Sequence, residues 1–502
     1  MKNIFLFLSL VAAGSLSAQN GQNSNAVYPI AEYDRAALIV MHEPNEELFV
    51  GTMHPAAALF MDYFNADAAA KEHQAYQKIL RDKGAEVITV RELLLKDCVD
   101  EDGNRKEGSS LDELQALAEK YLIYTCEEGV DPAEQEQYRQ ELLNKLYPND
   151  LIDIIPQQPE IILRQTAINT GLEASYRLRP VMNMFFMRDQ AITTSKGVII
   201  GKMNSSQRQL ESDIAELCYK KLGEEPIYRI TGDNAFLEGG DYLPFGTLSF
   251  IGCGLRTTQE AIDQLLDNDL IGKDTLVVVK DAWKSQEQMH LDTYFNIIDR
   301  DLVTLCANRV NAEEGDMDFL TYDMYAKDAN GQYQQTETGS FLDFLAKRGI
   351  EIIPIEKEDE LNYANNFLAV GKREIVMVAG QSLELQKALR EHNVDVTWAY
   401  LDNLTRGYGA AHCMTQVVRR VHDDSGATAN EDVHKLSNLQ VIGGVGQLQI
   451  SSDEPQQVYL YDLNGRLVEN QFVSSRATIS LEAGCYLVKA ANNSSALKVV
   501  VR

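Results

Sequence analysis

The stretch T-L-S-F-I-G, residues 247–252, is a short apolar run closed by glycine; a helical pattern follows over residues 258–265, and T-L-V-V-V, residues 275–279, is a second apolar run. Runs of this length between turn-forming residues read as buried strands, and the segment between them reads as a helix. The same grammar recurs beyond Pro156. G-V-I-I-G-K (197–202), E-I-I-P-I (351–355) and E-I-V-M-V (374–378) are further short apolar runs separated by Gly, Asn and Asp, with another helical stretch at 207–222. Alternation of strand and helix predicts an α/β fold. No sharp repeat is visible in the text, so any internal symmetry is structural.

Upstream, A-A-L-I-V-M (36–41) predicts a buried strand. Residues 68–147 are rich in Ala, Glu, Gln, Lys and Leu, as in S-L-D-E-L-Q-A-L-A-E-K-Y-L (110–122), where leucines recur at helical spacing. This predicts a mostly helical insertion over about 68–150, broken by a strand near 85–90 and by the acidic turn C-V-D-E-D-G-N (98–104). Downstream, residues 422–437 read as a polar linker. From 438 to 502 the pattern becomes all-β, with polar and apolar positions alternating and an N-G turn, as expected of a small β-sandwich domain.

The chain has 502 residues, 45% of them hydrophobic, enough to bury a large core in two or three domains. Its 46 basic and 75 acidic residues give a formal charge of −29, a surface that repels nucleic-acid backbones and suits a basic small molecule better. The N-terminus places Lys2 before an apolar run and a small-residue patch ending at Ala18, so residues 1–18 read as a cleaved secretory signal. No run is long enough to span a bilayer. The expectation is export through the periplasm to the outside or the cell surface, without a transmembrane helix. Seven widely spread cysteines show no C-x-x-C pair, and their odd number leaves at least one without an intrachain partner.

Three acidic clusters follow apolar runs: N-M-F-F-M-R-D (183–189), F-L-E-G-G-D (236–241) and M-H-L-D (289–292). Each reads as a carboxylate placed where a strand ends, which is where ligand sites gather in α/β folds. If the last stretch is extended, His290 and Asp292 share one face. They then read as acid or base with carboxylate, as metal ligands, or as a satisfied core histidine. No H-E-x-x-H or C-x-x-C pattern supports a metal. The glycines of L-E-G-G-D permit a tight turn, with Glu238 a turn carboxylate on that motif alone. Cys413, at the end of R-G-Y-G-A-A-H-C (406–413), is either a buried small residue or a thiol that Arg406 and His412 draw toward thiolate.

Taken together, F-M-R-D, L-E-G-G-D, M-H-L-D-T-Y-F and H-C-M-T, in this order, resemble the arginine deiminase family of guanidino-modifying enzymes, and the likeness runs from about residue 36 to 421. The resemblance implies a five-bladed, pseudo-symmetric α/β propeller with a helical insertion over residues 30–421. It also implies hydrolysis of L-arginine by water to citrulline and ammonia, with no cofactor and no metal. By position, Cys413 corresponds to the nucleophile, His290 to the acid/base, Asp189 and Asp292 to the guanidinium-binding carboxylates, and Glu238 to the partner of the histidine. Asn183, Arg208 and Arg256 correspond to ligands of the substrate's amino-acid end. Arg406 is assigned there too, although Tyr408 stands where the family usually has arginine, and Gln190 stands where it commonly has proline. Peptide-bound arginine, another guanidine, and a non-catalytic arginine-binding protein are the alternatives, and a homo-oligomer is left open. The C-terminal Y-D-L-N-G-R-L-V (461–468) and G-C-Y-L-V (484–488) resemble the sorting domain of type nine secretion cargo, which implies the secretion machinery as a partner.

Overall fold

The computed structural model describes residues 26–422 and, beyond them, 432–436, 439–443, 447–452, 456–462, 466–474, 476–481, 484–490 and 497–501. The expected signal segment, 1–18, lies outside the described residues. The chain divides into two units, Met1–His422 and Asp423–Arg502.

In the first unit the strand–helix–strand reading at residues 247–279 holds. Leu248–Cys253 pairs in parallel with Thr275–Lys280, and the helix Gln259–Asp267 connects them. Leu248–Cys253 also pairs antiparallel with the strand before it, Tyr242–Phe245. This unit, a hairpin followed by a helical crossover to a parallel third strand, occurs four times among the described residues, and a fifth module has the same strand order but takes its antiparallel strand, Gln416–Val421, from the far end of the unit. The central strands are Arg35–Met41, Gly197–Ile200, Leu248–Cys253, Leu302–Cys306 and Glu374–Val378. Their antiparallel neighbours are Gln416–Val421, Ala191–Thr194, Tyr242–Phe245, Phe295–Asp299 and Leu368–Gly371. Their parallel neighbours are Glu86–Thr89, Tyr228–Arg229, Thr275–Lys280, Glu351–Ile355 and Asp395–Ala399. Central strands such as Gly197–Ile200 and Leu302–Cys306 are buried throughout, which is why the sequence shows continuous apolar runs rather than alternation. The third sheet gains Thr321–Lys327 and Tyr333–Ser340, and no sheet closes on itself among the described residues.

The helix-rich stretch divides between two roles. Ala66–Asp82 is the crossover helix of the first module, and its Tyr76 and Leu80 are fully buried. The insertion proper follows Glu86–Thr89 and begins with a capping box, in which Thr89 and Glu92 satisfy each other's backbone N–H groups at the start of Val90–Leu95. It continues through the helices Ser109–Tyr121, Pro132–Leu143 and Pro148–Gln157. It also carries a three-stranded sheet, Ile123–Cys126, Glu160–Gln165 and Leu172–Arg177, which the helical reading did not anticipate.

In the second unit two four-stranded antiparallel sheets form around Val441, Ile450, Val458, Leu460 and Val488, as the all-β pattern predicts. Part of the stretch read as linker is ordered into Asp432–Leu436, paired with Leu439–Gly443, while residues 423–431 lie outside the described residues.

Candidate active site

The five modules place the chemistry. Each module's antiparallel strand is preceded by a buried turn, and these turns carry Asp189 before Ala191–Thr194, Glu238 before Tyr242–Phe245, and His290 and Asp292 before Phe295–Asp299. Asn366 precedes Leu368–Gly371, and Cys413 precedes Gln416–Val421. The side chains therefore sit at strand entrances, not at the strand ends that the sequence suggested. The apolar run Met184–Phe185–Phe186–Met187 is turn rather than strand, buried because it packs inside the molecule. Likewise, M-H-L-D is not extended. His290 is the residue before a short helix, Leu291–Tyr294, and Asp292 lies within it, so the two side chains go to different partners.

His290 Nε2 donates to Glu238 Oε2 at 2.8 Å, and its Nδ1 stands 3.7 Å from Asp189 Oδ1. Burial alone would lower the His290 pKa, but the Asp189 charge and the Glu238 hydrogen bond overcome it and raise it to about 9. Glu238 is held as carboxylate: against burial, the His290 bond and the Arg256 charge bring it to about 2. Its Oε1 accepts the Asn204 backbone N–H at 2.8 Å. The two glycines of L-E-G-G-D admit this packing. A Cβ on Gly240 would come 2.7 Å from His290 Nδ1, and one on Gly239 would come 2.0 Å from the Arg188 carbonyl oxygen.

Asp292 Oδ2 accepts from His412 Nδ1 at 2.7 Å and from the Cys413 thiol at 3.5 Å. Burial opposes its ionisation, yet the His412 hydrogen bond keeps its pKa below the ordinary value. His412 thus serves the carboxylate, with its other ring nitrogen 3.7 Å from Glu32, and not the sulfur as its neighbouring position suggested. Burial, then the charges of Asp292 and Asp189, push the Cys413 thiol well above its usual range. In this state Cys413 is a neutral thiol. Asn366, which the sequence reading missed, organises it. Its Nδ2 donates to Cys413 Sγ at 3.1 Å, and its Oδ1 accepts the backbone N–H groups of Ala410 at 2.8 Å and Cys413 at 3.1 Å. The only local hint is its place in A-N-N-F, immediately before an apolar strand.

Arg208 lines the same cavity but is heavily engaged, with Nη1 donating to Asp189 Oδ2 at 2.8 Å and Nη2 to Glu211 Oε2 at 2.8 Å. Gln190 also donates to Glu211 Oε2, at 2.7 Å. Arg256 donates to Gln286 Oε1 at 3.1 Å, and its buried Nε makes no hydrogen bond. Asn183 donates to the Ala58 carbonyl at 2.9 Å. Arg406 is set apart: half-exposed, it reaches Asp62 at 3.5 Å and the Tyr63 carbonyl at 3.4 Å, whereas Tyr408 lines the cavity.

One narrow cavity of about 20 Å³ is lined by Cys413, His290, Asp189, Asn183, Arg208 and Arg256, among others. Asp189 Oδ1 and Asp292 Oδ1, each near the thiol, are buried and accept no hydrogen bond, and neither does Asp241 Oδ2 nearby. Each such group costs about 1–3 kcal/mol when buried. Asp189, Glu238 and His290 also bring one ligand atom each within 4.8 Å of the others, an O,O,N set that could hold a divalent cation. The protonated His290 ring, between the two carboxylates, fills the same electrostatic role.

Buried charges arranged around a thiol contribute little that apolar packing would not, so their concentration marks a functional site. The family model of arginine deiminase matches residues 57–420, and a model described as a domain of unknown function, DUF6383, matches 427–501. The chain belongs to the arginine deiminase family. Arginine deiminase of Halobacterium salinarum is 26% identical, covering 81% of this chain and 99% of its own length. That of Lactococcus lactis subsp. lactis is also 26% identical, covering 80% and 99%. Among solved structures, a dimethylarginine dimethylaminohydrolase from Pseudomonas aeruginosa, a mutant complexed with citrulline, aligns over 77% of this chain and 99% of its own at 15% identity and a TM-score of 0.45.

Proposed function

We propose that this chain hydrolyses free L-arginine to L-citrulline and ammonia through a covalent intermediate on Cys413. The observation that carries the reading is the pair of buried carboxylates, Asp189 and Asp292, each with an unbonded oxygen, set against one thiol. A guanidinium is a planar fork of N–H donors carrying a delocalised charge, and paired carboxylates match it in geometry and sign. At roughly 4 Å and an effective dielectric near 20, each pair contributes about 4 kcal/mol before desolvation is subtracted.

The same binding event activates the nucleophile. The carboxylate charges that raise the Cys413 pKa are neutralised by the bound cation, so the thiol loses its proton to solvent only once substrate is in place. The thiolate then adds to the guanidinium carbon. With Nε2 held by Glu238, His290 presents Nδ1–H to the departing nitrogen. The C–N bond breaks, ammonia leaves, and an S-alkylthiouronium remains. The neutral imidazole takes a proton from water as it attacks, and collapse of that second adduct expels the Cys413 sulfur, which takes up the adduct's hydroxyl proton, and releases citrulline.

Arg256 and Arg208, with Asn183, are the proposed ligands of the substrate's α-carboxylate and α-amino groups. The buried Arg208 and Arg256 on the cavity wall, placed to meet an α-carboxylate, support a free amino acid over an arginine within a peptide. The five recurrent modules, each delivering one turn to the site, support a five-bladed propeller about the catalytic cavity. The N-terminal pattern and the last strands support export and sorting by the type nine pathway.

The test is citrulline formation by the purified chain with free and with peptide-bound arginine. No citrulline from either would overturn the reading, and equal rates would overturn its preference for the free amino acid. Cys413→Ser is expected to lower turnover by at least about a thousandfold, about 4 kcal/mol of barrier, with an unchanged circular dichroism spectrum.

A further inference from the structure

Of the two arginines on the wall of the catalytic cavity, only one has its charge balanced by ion pairs. Arg208 is paired to Asp189 and to Glu211, each at 2.8 Å. Arg256, 7% exposed, makes no ion pair among the described residues. Glu238 feels its charge but is bonded to His290 at 2.8 Å. The side-chain hydrogen bond that Arg256 does make runs from Nη2 to a neutral acceptor, Gln286 Oε1, at 3.1 Å. A buried guanidinium in that state favours an anion that completes it.

Gln286 stands on the same wall, and unlike Asp189, His290 and Cys413 it is only half-buried and keeps accessible surface. Its orientation is set by Arg256, because the flipped amide would turn N–H groups toward a guanidinium that only donates. The amide nitrogen therefore faces away from Arg256, and its one contact is weak, Met289 Sδ at 3.7 Å. The loop is anchored on both sides of Gln286 by the buried Arg309, which donates to Asp281 Oδ1 and to Gln288 Oε1, each at 2.8 Å. The other half-buried residues of the wall, Leu59, Met289 and Tyr408, are uncharged.

We infer, on the reading that arginine binds with its guanidinium on Asp189 and Asp292, that Gln286 is a specificity-determining ligand whose amide N–H groups and Arg256 together clamp the substrate's α-carboxylate. Asp189 and Asp292 are 2% and 0% exposed and mark the buried end, so the amino-acid end of the substrate is directed to the half-buried wall where Gln286 stands. A neutral amide suits that position, since it donates a charge-assisted hydrogen bond to the carboxylate without burying a second cation.

The test compares L-arginine with agmatine, the same guanidine without a carboxylate, in the full-length wild type, Gln286→Leu and Gln286→Glu, following ammonia release. Gln286→Leu is expected to raise KM for L-arginine at least about tenfold with kcat within about twofold, the signature of lost uniform binding, and to leave kcat/KM for agmatine unchanged. Gln286→Glu, which neutralises Arg256 and repels the carboxylate, is expected to lose more on L-arginine and nothing on agmatine. Equal losses on the two substrates, or a fall in kcat alone, make Gln286 a support of its loop and overturn the inference, as does an unchanged KM. Calorimetric titration of both ligands into the Cys413→Ser chain repeats the comparison without turnover: L-arginine is expected to bind more tightly than agmatine, and adding Gln286→Leu is expected to remove most of that difference. If the wild type releases no ammonia from L-arginine, the proposed reaction fails and this titration alone decides the clamp; equal affinity for the two ligands overturns it.

Discussion

Cys413 and His290 carry opposite protonation logic into one cavity. The thiol is pushed up and stays neutral without a cation beside it, while the imidazole is raised to about 9 and stays charged. Iodoacetamide is therefore expected to label Cys413 slowly in the free protein at pH 7, and labelling as fast as that of an exposed cysteine would contradict the buried neutral thiol. His290→Ala is expected to reduce turnover by about 10²–10⁴-fold, the range of a lost general acid; near-normal citrulline production would move the role elsewhere. The pH dependence follows from direction. The His290 pKa lies above its ordinary 6.5, so its ion pairs stabilise the fold fully below about 6.5, and that stability is lost as pH rises through about 9. The Glu238 pKa lies below 4.5, so its contribution is present above about 4.5 and is lost as pH falls toward about 2. In a pH series of kcat/KM, which reports the free enzyme, the alkaline limb is expected to fall above about pH 9, where the acid is gone. Asn366→Ala strips a hydrogen bond from the sulfur and one acceptor from two backbone N–H groups. A loss of about 1–3 kcal/mol in unfolding free energy is expected for the groups left unpaired, read by urea denaturation, together with reduced turnover.

The turns entering the antiparallel strands of the five modules are the elements that convert fold into site, and close approach of backbone to side chain sets their sequence. Gly240→Ala places a methyl group 2.7 Å from the His290 ring, so the ring must move off Glu238. The expected outcome is a fall in kcat with a lowered His290 pKa by NMR, and an unshifted titration would show that the ring had not moved. The cysteine turn shows the same constraint, because a Cβ on Gly407 would meet the rings of Phe185 and Phe186 at 2.9 Å. Tyr408, between Gly407 and Gly409, takes a left-handed backbone at φ 68°, a conformation uncommon for a residue with a Cβ. The motif glycines could be read as turn residues from the text. What they make room for could not, because the Phe and His rings come from distant modules.

The two units of the chain have separate hydrophobic cores, and every site residue discussed lies within Met1–His422. A chain ending at His422 is expected to fold and to form citrulline at close to the full-length rate; loss of activity on that truncation would assign the C-terminal unit a part in catalysis. Among the described residues no helix is long and apolar enough to cross a membrane. The six cysteines of the unit Met1–His422 are all free, so reducing agent is not expected to lower the melting temperature of the catalytic unit.

The α/β class, the motif order and the residue types needed for guanidinium chemistry follow from local patterns, because strand burial, helical spacing and short motifs each span only a few residues. The helical insertion was readable for the same reason, although its small sheet was not, since its edge strand Leu172–Arg177 is exposed throughout and carries little apolar signal. Contact is another matter. Glu238 and His290 are 52 residues apart, and Asp292 and Cys413 are 121. Packing decides which nitrogen of His290 is held, that His412 turns to Asp292 rather than to the sulfur, that Asn366 joins the site, and that Arg406 faces Asp62 instead. These outcomes depend on long-range burial and on charges summed across modules, quantities that no window along the chain contains.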